Sequence, residues 1–138
     1  MDAQANTQIV KDAYSAFGRG DISRVLNLIA PDVEWVVPGK DTPLAGTYLG
    51  RDAVAQFFDK LSRELDMQAF EPREYVAQND RVIVLGRTRA KAKATGRTFD
   101  TEWAMVFGIR DGKIARFQQY QDTAAMAAAF AAIAKAAR

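Results

Sequence analysis

The sequence predicts an α+β fold with the element order αα-β-α-ββββ-α, and three observations carry that prediction. Apolar residues recur at helical spacing in two N-terminal segments and again past Arg51. From about residue 69 the pattern switches to alternation, and the alternating segments are joined by short turns rich in Asn, Asp and Gly. Helices and strands come in runs, which predicts helices segregated on one side of an antiparallel sheet.

Each element has its own warrant. From Asn6 to Phe17, the residues Ile9, Val10, Ala13, Tyr14 and Phe17 recur at helical spacing, and the glycines of "GRGD" end that helix before Asp21 caps the next. "ISRVLNLIA" is the second helix, with Ile22, Val25, Leu26 and Ile29 on one side and Pro31 as its stop. "DVEWVVPG" alternates as a strand does: Val33, Trp35 and Val37 point one way, Glu34 and Val36 the other. "PGKDTPLAGTYLG", residues 38–50, reads as a loop. The third helix opens near Arg51 and carries Val54, Phe57, Phe58, Leu61 and Leu65. Strands at 69–78, 81–93, 98–110 and 113–121 follow, joined by the hairpin sequences "ND", "ATGR" and "RDG". The last strand runs into a helix from Thr123, where Met126, Phe130 and Ile133 form a narrow apolar stripe among alanines. No repeat or second unit interrupts the order, so 1–138 reads as a single domain.

Composition narrows the chemistry. With 138 residues and 49% apolar content, the chain can bury a core without disulfides or metals. It has no cysteine and no histidine, which removes thiolate nucleophiles, Ser-His and Cys-His pairs and the usual zinc ligands. Acid–base work falls to Asp, Glu, Tyr or Lys, and no metal or cofactor is expected. The 19 basic residues are scattered against 17 acidic ones, which is a solvated surface rather than a nucleic-acid footprint. No apolar run is long enough to span a bilayer, and the polar N-terminus has no signal-peptide pattern, so the expected location is cytoplasmic, with no membrane or nucleic-acid partner.

The stretches "AFGRGDISRVLNLIAPDVEWVVPG" and "VFGIRDGKIARFQQYQD", with the Gly-Asp turn, the "APDVEW" strand entry, the "GR-D" helix opening and the "DGKI" hairpin, resemble the SnoaL-like branch of the nuclear transport factor two superfamily. The resemblance covers nearly the whole chain. It implies a cone-shaped curved sheet wrapped around the N-terminal helices, a deep and mostly apolar pocket, and a homodimer. The family's enzymes are not reproduced evenly. The ketosteroid isomerase positions fall on Val37, Ala13 and Trp103 or Ala104, none of which matches. The limonene epoxide hydrolase pattern keeps Asp122, but its other two places hold Gly86 and Thr88. Scytalone dehydratase relies on histidines. The SnoaL polyketide cyclases use an aspartate near the end of the last strand, and Asp122 matches that position.

The expected activity is therefore that of a pocket protein for a small apolar, oxygen-bearing molecule. It is either a cofactor-free isomerase, lyase or cyclase using one Asp as acid and base, or a non-catalytic binder of an apolar metabolite. An epoxide hydrolase ranks below both. Alternation along "IARFQQYQD" puts Gln118, Tyr120 and Asp122 on one face, so Tyr120 and Asp122 are the catalytic candidates, with Tyr120 donating a hydrogen bond beside the base. Before "TAAMAAAF", Asp122 reads equally well as a helix cap. The expected pocket wall is Tyr14, Phe17, Trp35, Val37, Phe57, Phe58, Leu61, Trp103, Met105, Phe107 and Gln118. Val106 and Phe117, of opposite strand parity, are the expected dimer contacts.

Overall fold

A computed structural model of the chain describes residues 2–136, the side chains of 132–136 excepted. Ile133, placed in the last helix's apolar stripe, thus has its side chain outside the described residues. Helix α1 spans Ala3–Gly18 and is capped by Asp2, whose carboxylate accepts from the Ala5 N–H at 2.7 Å. It buries Val10, Ala13 and Ala16. Helix α2, Ile22–Asn27, is capped in the same way by Asp21, which accepts from the Arg24 N–H at 3.1 Å.

Helix α2 is shorter than the sequence predicts. The chain is already extended at Ile29, because β1 (Ile29–Val37) draws that β-branched residue into the sheet opposite Ile114. Pro31 falls where the β1 ladder is irregular, between Ile29 and Glu34, so its missing N–H does not interrupt regular pairing. A second correction concerns 38–50. Within that loop Gly46–Leu49 forms β2, pairing antiparallel with Glu34 to Val37. Four residues are too few to show alternation. Helix α3, Arg51–Glu64, is tied to β1 by Arg51, whose guanidinium donates to the Ile29 carbonyl at 2.6 Å.

Strand β3 runs Leu65–Gln78, beginning directly after α3 and earlier than expected, with Leu65 paired to Ala92. β4 (Arg81–Ala92), β5 (Thr98–Arg110) and β6 (Lys113–Gln121) complete the sheet, and α4 occupies Thr123–Ala136. The β5–β6 turn has positive φ at both Asp111 (51°) and Gly112 (75°), the geometry that an Asp-Gly hairpin supplies. The strand order is β2-β1-β6-β5-β4-β3, and every pair is antiparallel except β1 with β6, which is parallel. The antiparallel sheet read from the sequence is therefore a mixed one. β1 and β6 become neighbours only after the chain has built everything between them. The sheet is curved and unclosed. Its inner face packs on α1, α2 and α3, and one apolar cluster fills the space between them.

Candidate functional site

The site is set by a one-residue irregularity in β6. Gly108 pairs with Arg116 but Ile109 pairs with Ile114, so Ala115 is an extra residue on the β6 side. A bulge of this kind reverses the parity of everything beyond it. Ile114 faces inward before the bulge; after it Phe117, Gln119 and Gln121 face inward, while Arg116, Gln118 and Tyr120 face out. Strict alternation had assigned the reverse.

Behind β6 lies a cavity of about 100 Å³, lined by α1, α3 and the inner face of the sheet, with Val25 from α2 and Met126 from α4. Of the expected wall, Tyr14, Phe17, Trp35, Phe57, Phe58, Leu61, Met105 and Phe107 line it. Trp35 stacks on Phe117 with ring centroids 4.0 Å apart, and Phe17 meets Phe58 and Phe70 edge-on or tilted. Phe117 is thus part of the wall, 3% exposed, and not a contact for a second subunit. Val106 does lie on the outer face.

Three expected wall residues are elsewhere. Val37 shares the inward face with Trp35 but is packed in the core beyond the cavity. Trp103 forms the layer behind the wall, stacked against both Tyr14 and Phe70, whose own ring centroids are 5.7 Å apart, and its indole N–H donates to Thr88 Oγ1 at 2.7 Å. That ring lies across Gly86, where an added Cβ would come within 2.4 Å of the indole and 2.6 Å of the Glu71 carbonyl oxygen. Gln118 is on the outer face because of the bulge.

The two catalytic candidates also lie outside the lining. Tyr120 is 55% exposed on the outer face, for the same reason as Gln118. Asp122 is exposed and accepts from the Ala125 N–H at 3.1 Å, a cap on α4, while its own N–H donates to Thr101 Oγ1 at 3.2 Å. Residues absent from the sequence reading of the wall include Met67, Phe70, Thr88, Phe99, Gln119, Gln121 and Met126. Phe99 was legible by extending the Trp103, Met105, Phe107 alternation toward the start of β5. Phe70 was hidden by irregular pairing on both sides of it, at Met67/Ala69 and Pro72/Glu74.

The cavity's polar groups are few and neutral: Tyr14, Thr88, Gln119 and Gln121. Among the described residues no carboxylate lines it. Gln119 donates to Gln121, whose own amide reaches Met126 Sδ at 3.7 Å. Tyr14 donates to Met105 Sδ at 3.1 Å, and burial, assisted by Tyr75, pushes its phenol far above the ordinary tyrosine range. A thioether is a weak acceptor, so Tyr14 is a neutral donor with a poor partner. The Trp35 indole N–H is buried without an acceptor among the described residues. No group of three acidic side chains is gathered to hold a metal ion among the described residues, and none of their helices is long and apolar enough to cross a membrane.

Comparison with known proteins gives a consistent setting for this geometry. The SnoaL-like domain matches residues 10–117. A solved NTF2-like protein from Burkholderia xenovorans is 42% identical, with 94% of this chain and 98% of that one covered and a TM-score of 0.88. TerC, co-crystallised with polyporic acid, is 31% identical over 91% of this chain and 98% of its own, with a TM-score of 0.81. An uncharacterized protein of Mycobacterium tuberculosis is 32% identical over 126 residues, which are 91% of this chain and 95% of that relative.

Proposed function

The chain belongs to the SnoaL-like family of the NTF2-like superfamily, and from that premise we propose that it binds a small, mainly apolar, oxygen-bearing molecule without turning it over. The observation that carries this reading is the half-buried Tyr14 hydroxyl, held only by a thioether, in a cavity whose lining has no carboxylate among the described residues. A ligand carbonyl or ether oxygen is a better acceptor than the Met105 sulfur, and an aromatic wall accommodates a ring. An apolar cavity of about 150 Å³ takes a benzene ring. The present one, at about 100 Å³, accommodates a similar body once flexible Met67, Met105 or Met126 shifts. TerC's complex with polyporic acid supports ligand binding on this fold.

A cyclase, isomerase or lyase needs a base beside the substrate, and the matching carboxylate, Asp122, is engaged as a cap outside the cavity. Binding is therefore the reading favoured over catalysis. The test is intrinsic fluorescence, since Trp35 lines the cavity and Trp103 stacks behind Tyr14. Monocyclic ketones and phenols should quench it, and Tyr14→Phe should weaken binding about three- to tenfold. If no member of such a panel alters either tryptophan, the reading falls.

We also propose that the outer sheet face pairs two copies. Ile83 and Leu85, 37% and 39% exposed, sit beside Val106 and Ala104 in register, and Tyr120 extends the apolar band. Light scattering should report a dimer at micromolar concentration, with Leu85→Lys shifting it toward monomer. A monomeric wild type refutes it.

A further inference from the structure

A second recess lies outside the first, between α1 and the edge strand β3, with a volume of about 610 Å³. Four residues, Tyr14, Phe17, Met67 and Phe70, line both spaces, so the two are separated by one layer of side chains. The irregular pairings of β3 at Met67/Ala69 and Pro72/Glu74 bracket Phe70, and bulges bend an edge strand away from its regular course. The inner cavity is well below the roughly 300–1,000 Å³ typical of small-molecule sites, and the adjoining outer recess lies within that range.

The outer recess differs in charge from the inner one. Its lining includes Lys11 and, among the described residues, no carboxylate. Lys11 has its ammonium 5.0 Å from the Tyr75 ring centroid and makes no ion pair among the described residues. Ser15, also in the lining, accepts from the Arg19 guanidinium at 2.7 Å, which brings a second cation to the rim. Of the acids nearby, Asp12 accepts from Gln8 and Glu71 pairs with Arg73 and Arg87, while Asp66 and Glu74, beside the lining residues Met67 and Tyr75, are exposed and outside the lining.

We propose that the two spaces form one binding site for an amphipathic organic acid, its apolar end in the inner cavity and its anionic group at Lys11. This rests on the binding function proposed above and names the ligand class. Tyr14, Phe17, Met67 and Phe70 act as the constriction through which the ligand's linker passes. The inner cavity selects an apolar end, and Lys11 selects the charge at the other.

A homologous series of ω-phenylalkanoic acids and their methyl esters tests this by tryptophan fluorescence and calorimetry. On wild type, affinity for the acids should pass through a maximum with linker length, where the acid outbinds its ester about two- to fivefold, the scale of one exposed charge pair. Lys11→Gln, at an exposed helix position that tolerates glutamine, should erase that preference. Lys11→Arg and the remote Lys40→Gln should keep it, and added salt should reduce it. Acid and ester binding wild type equally overturns the charged end while leaving the inner pocket standing, as does an acid preference that survives Lys11→Gln. Failure of both acid and ester to bind removes both proposals.

Discussion

On β4 the inward residues are Val82, Val84, Gly86, Thr88, Ala90 and Ala92, and the outward ones are Arg81, Ile83, Leu85, Arg87, Arg89 and Lys91. The same division continues across β5, where Phe99, Thr101, Trp103, Met105 and Phe107 alternate with Asp100, Glu102, Ala104 and Val106. The inner face has no formal charge, and its polar groups are hydroxyls, amides and indole N–H groups. The outer face has ion pairs of Arg87 with Asp100 and Arg116 with Glu34, set on either side of the apolar band. Desolvation explains the division: a carboxylate on the inner parity would be buried without a cation, at a cost of several kcal/mol. The consequence is functional. A sheet that sorts its charges this thoroughly leaves a site suited to recognition by shape and neutral hydrogen bonds.

The sharpest way to break the inner face is Gly86→Ala. The new Cβ meets both the Trp103 ring and the backbone oxygen of Glu71, and the backbone cannot give as a flexible side chain would. We expect a loss of about 1–3 kcal/mol or more in urea unfolding, with a changed near-ultraviolet tryptophan signal as Trp103 moves off Tyr14. Wild-type stability in this variant would mean that the Trp103 layer is not the rigid backing of the cavity.

The next effect separates the faces by alkaline pH. Burial holds the folded Tyr14 phenol above its ordinary value, so the contribution of its burial is fully present below the unfolded pKa of about 10. It is lost as pH rises from there toward the folded value, because only the unfolded chain releases the proton. The stability difference between wild type and Tyr14→Phe should therefore be constant at neutral pH and fall above about pH 10. Tyr75, also raised by burial, is common to both proteins and cancels. A flat difference across that range would mean that the Tyr14 phenol is as well hydrated in the folded chain as in the unfolded one.

How much of this was legible follows from the same faces. Where both parities are pure, as on β4 and β5, alternation sufficed. The helical walls were legible too, since Tyr14, Phe17, Phe57, Phe58 and Leu61 fall at helical spacing. β6 was misread because one inserted residue leaves almost no mark in composition. A mark did exist: Ile114 and Phe117 are both large, apolar and three apart, which strict alternation cannot bury together. The Trp103 layer and the outer recess depend on packing across distant strands, and no local pattern encodes them. For Asp122 the two readings differ by the rotation of one turn after the sheet ends.

That turn provides a smaller test. If Asp122 acts as the cap of α4, Asp122→Ala should cost about 0.5–2 kcal/mol, and Asp122→Asn almost nothing, since asparagine accepts the Ala125 N–H equally well. Denaturant midpoints of the two variants read this directly. An Asn variant as damaged as the Ala variant would show that the negative charge has a task beyond capping.

The smallest effect belongs to the outer face, and it runs in acid. Asp100 accepts from Arg87 Nε at 2.9 Å and from the guanidinium terminus at 2.6 Å, and these hydrogen bonds hold its carboxyl below the usual aspartate range. For a depressed pKa, the stabilising contribution is present above the unfolded value, near 3.9, and lost as pH falls through the folded one. Asp100→Asn cannot titrate, so wild type should exceed it in stability by a constant margin at neutral pH. That margin should shrink only in strong acid, below about pH 4. Both partners are solvated, so salt should reduce the margin as well. A margin that persists unchanged through strong acid would mean that packing, rather than charge, holds Asp100 in place. The outer face would then resemble the inner one more than its ion pairs imply.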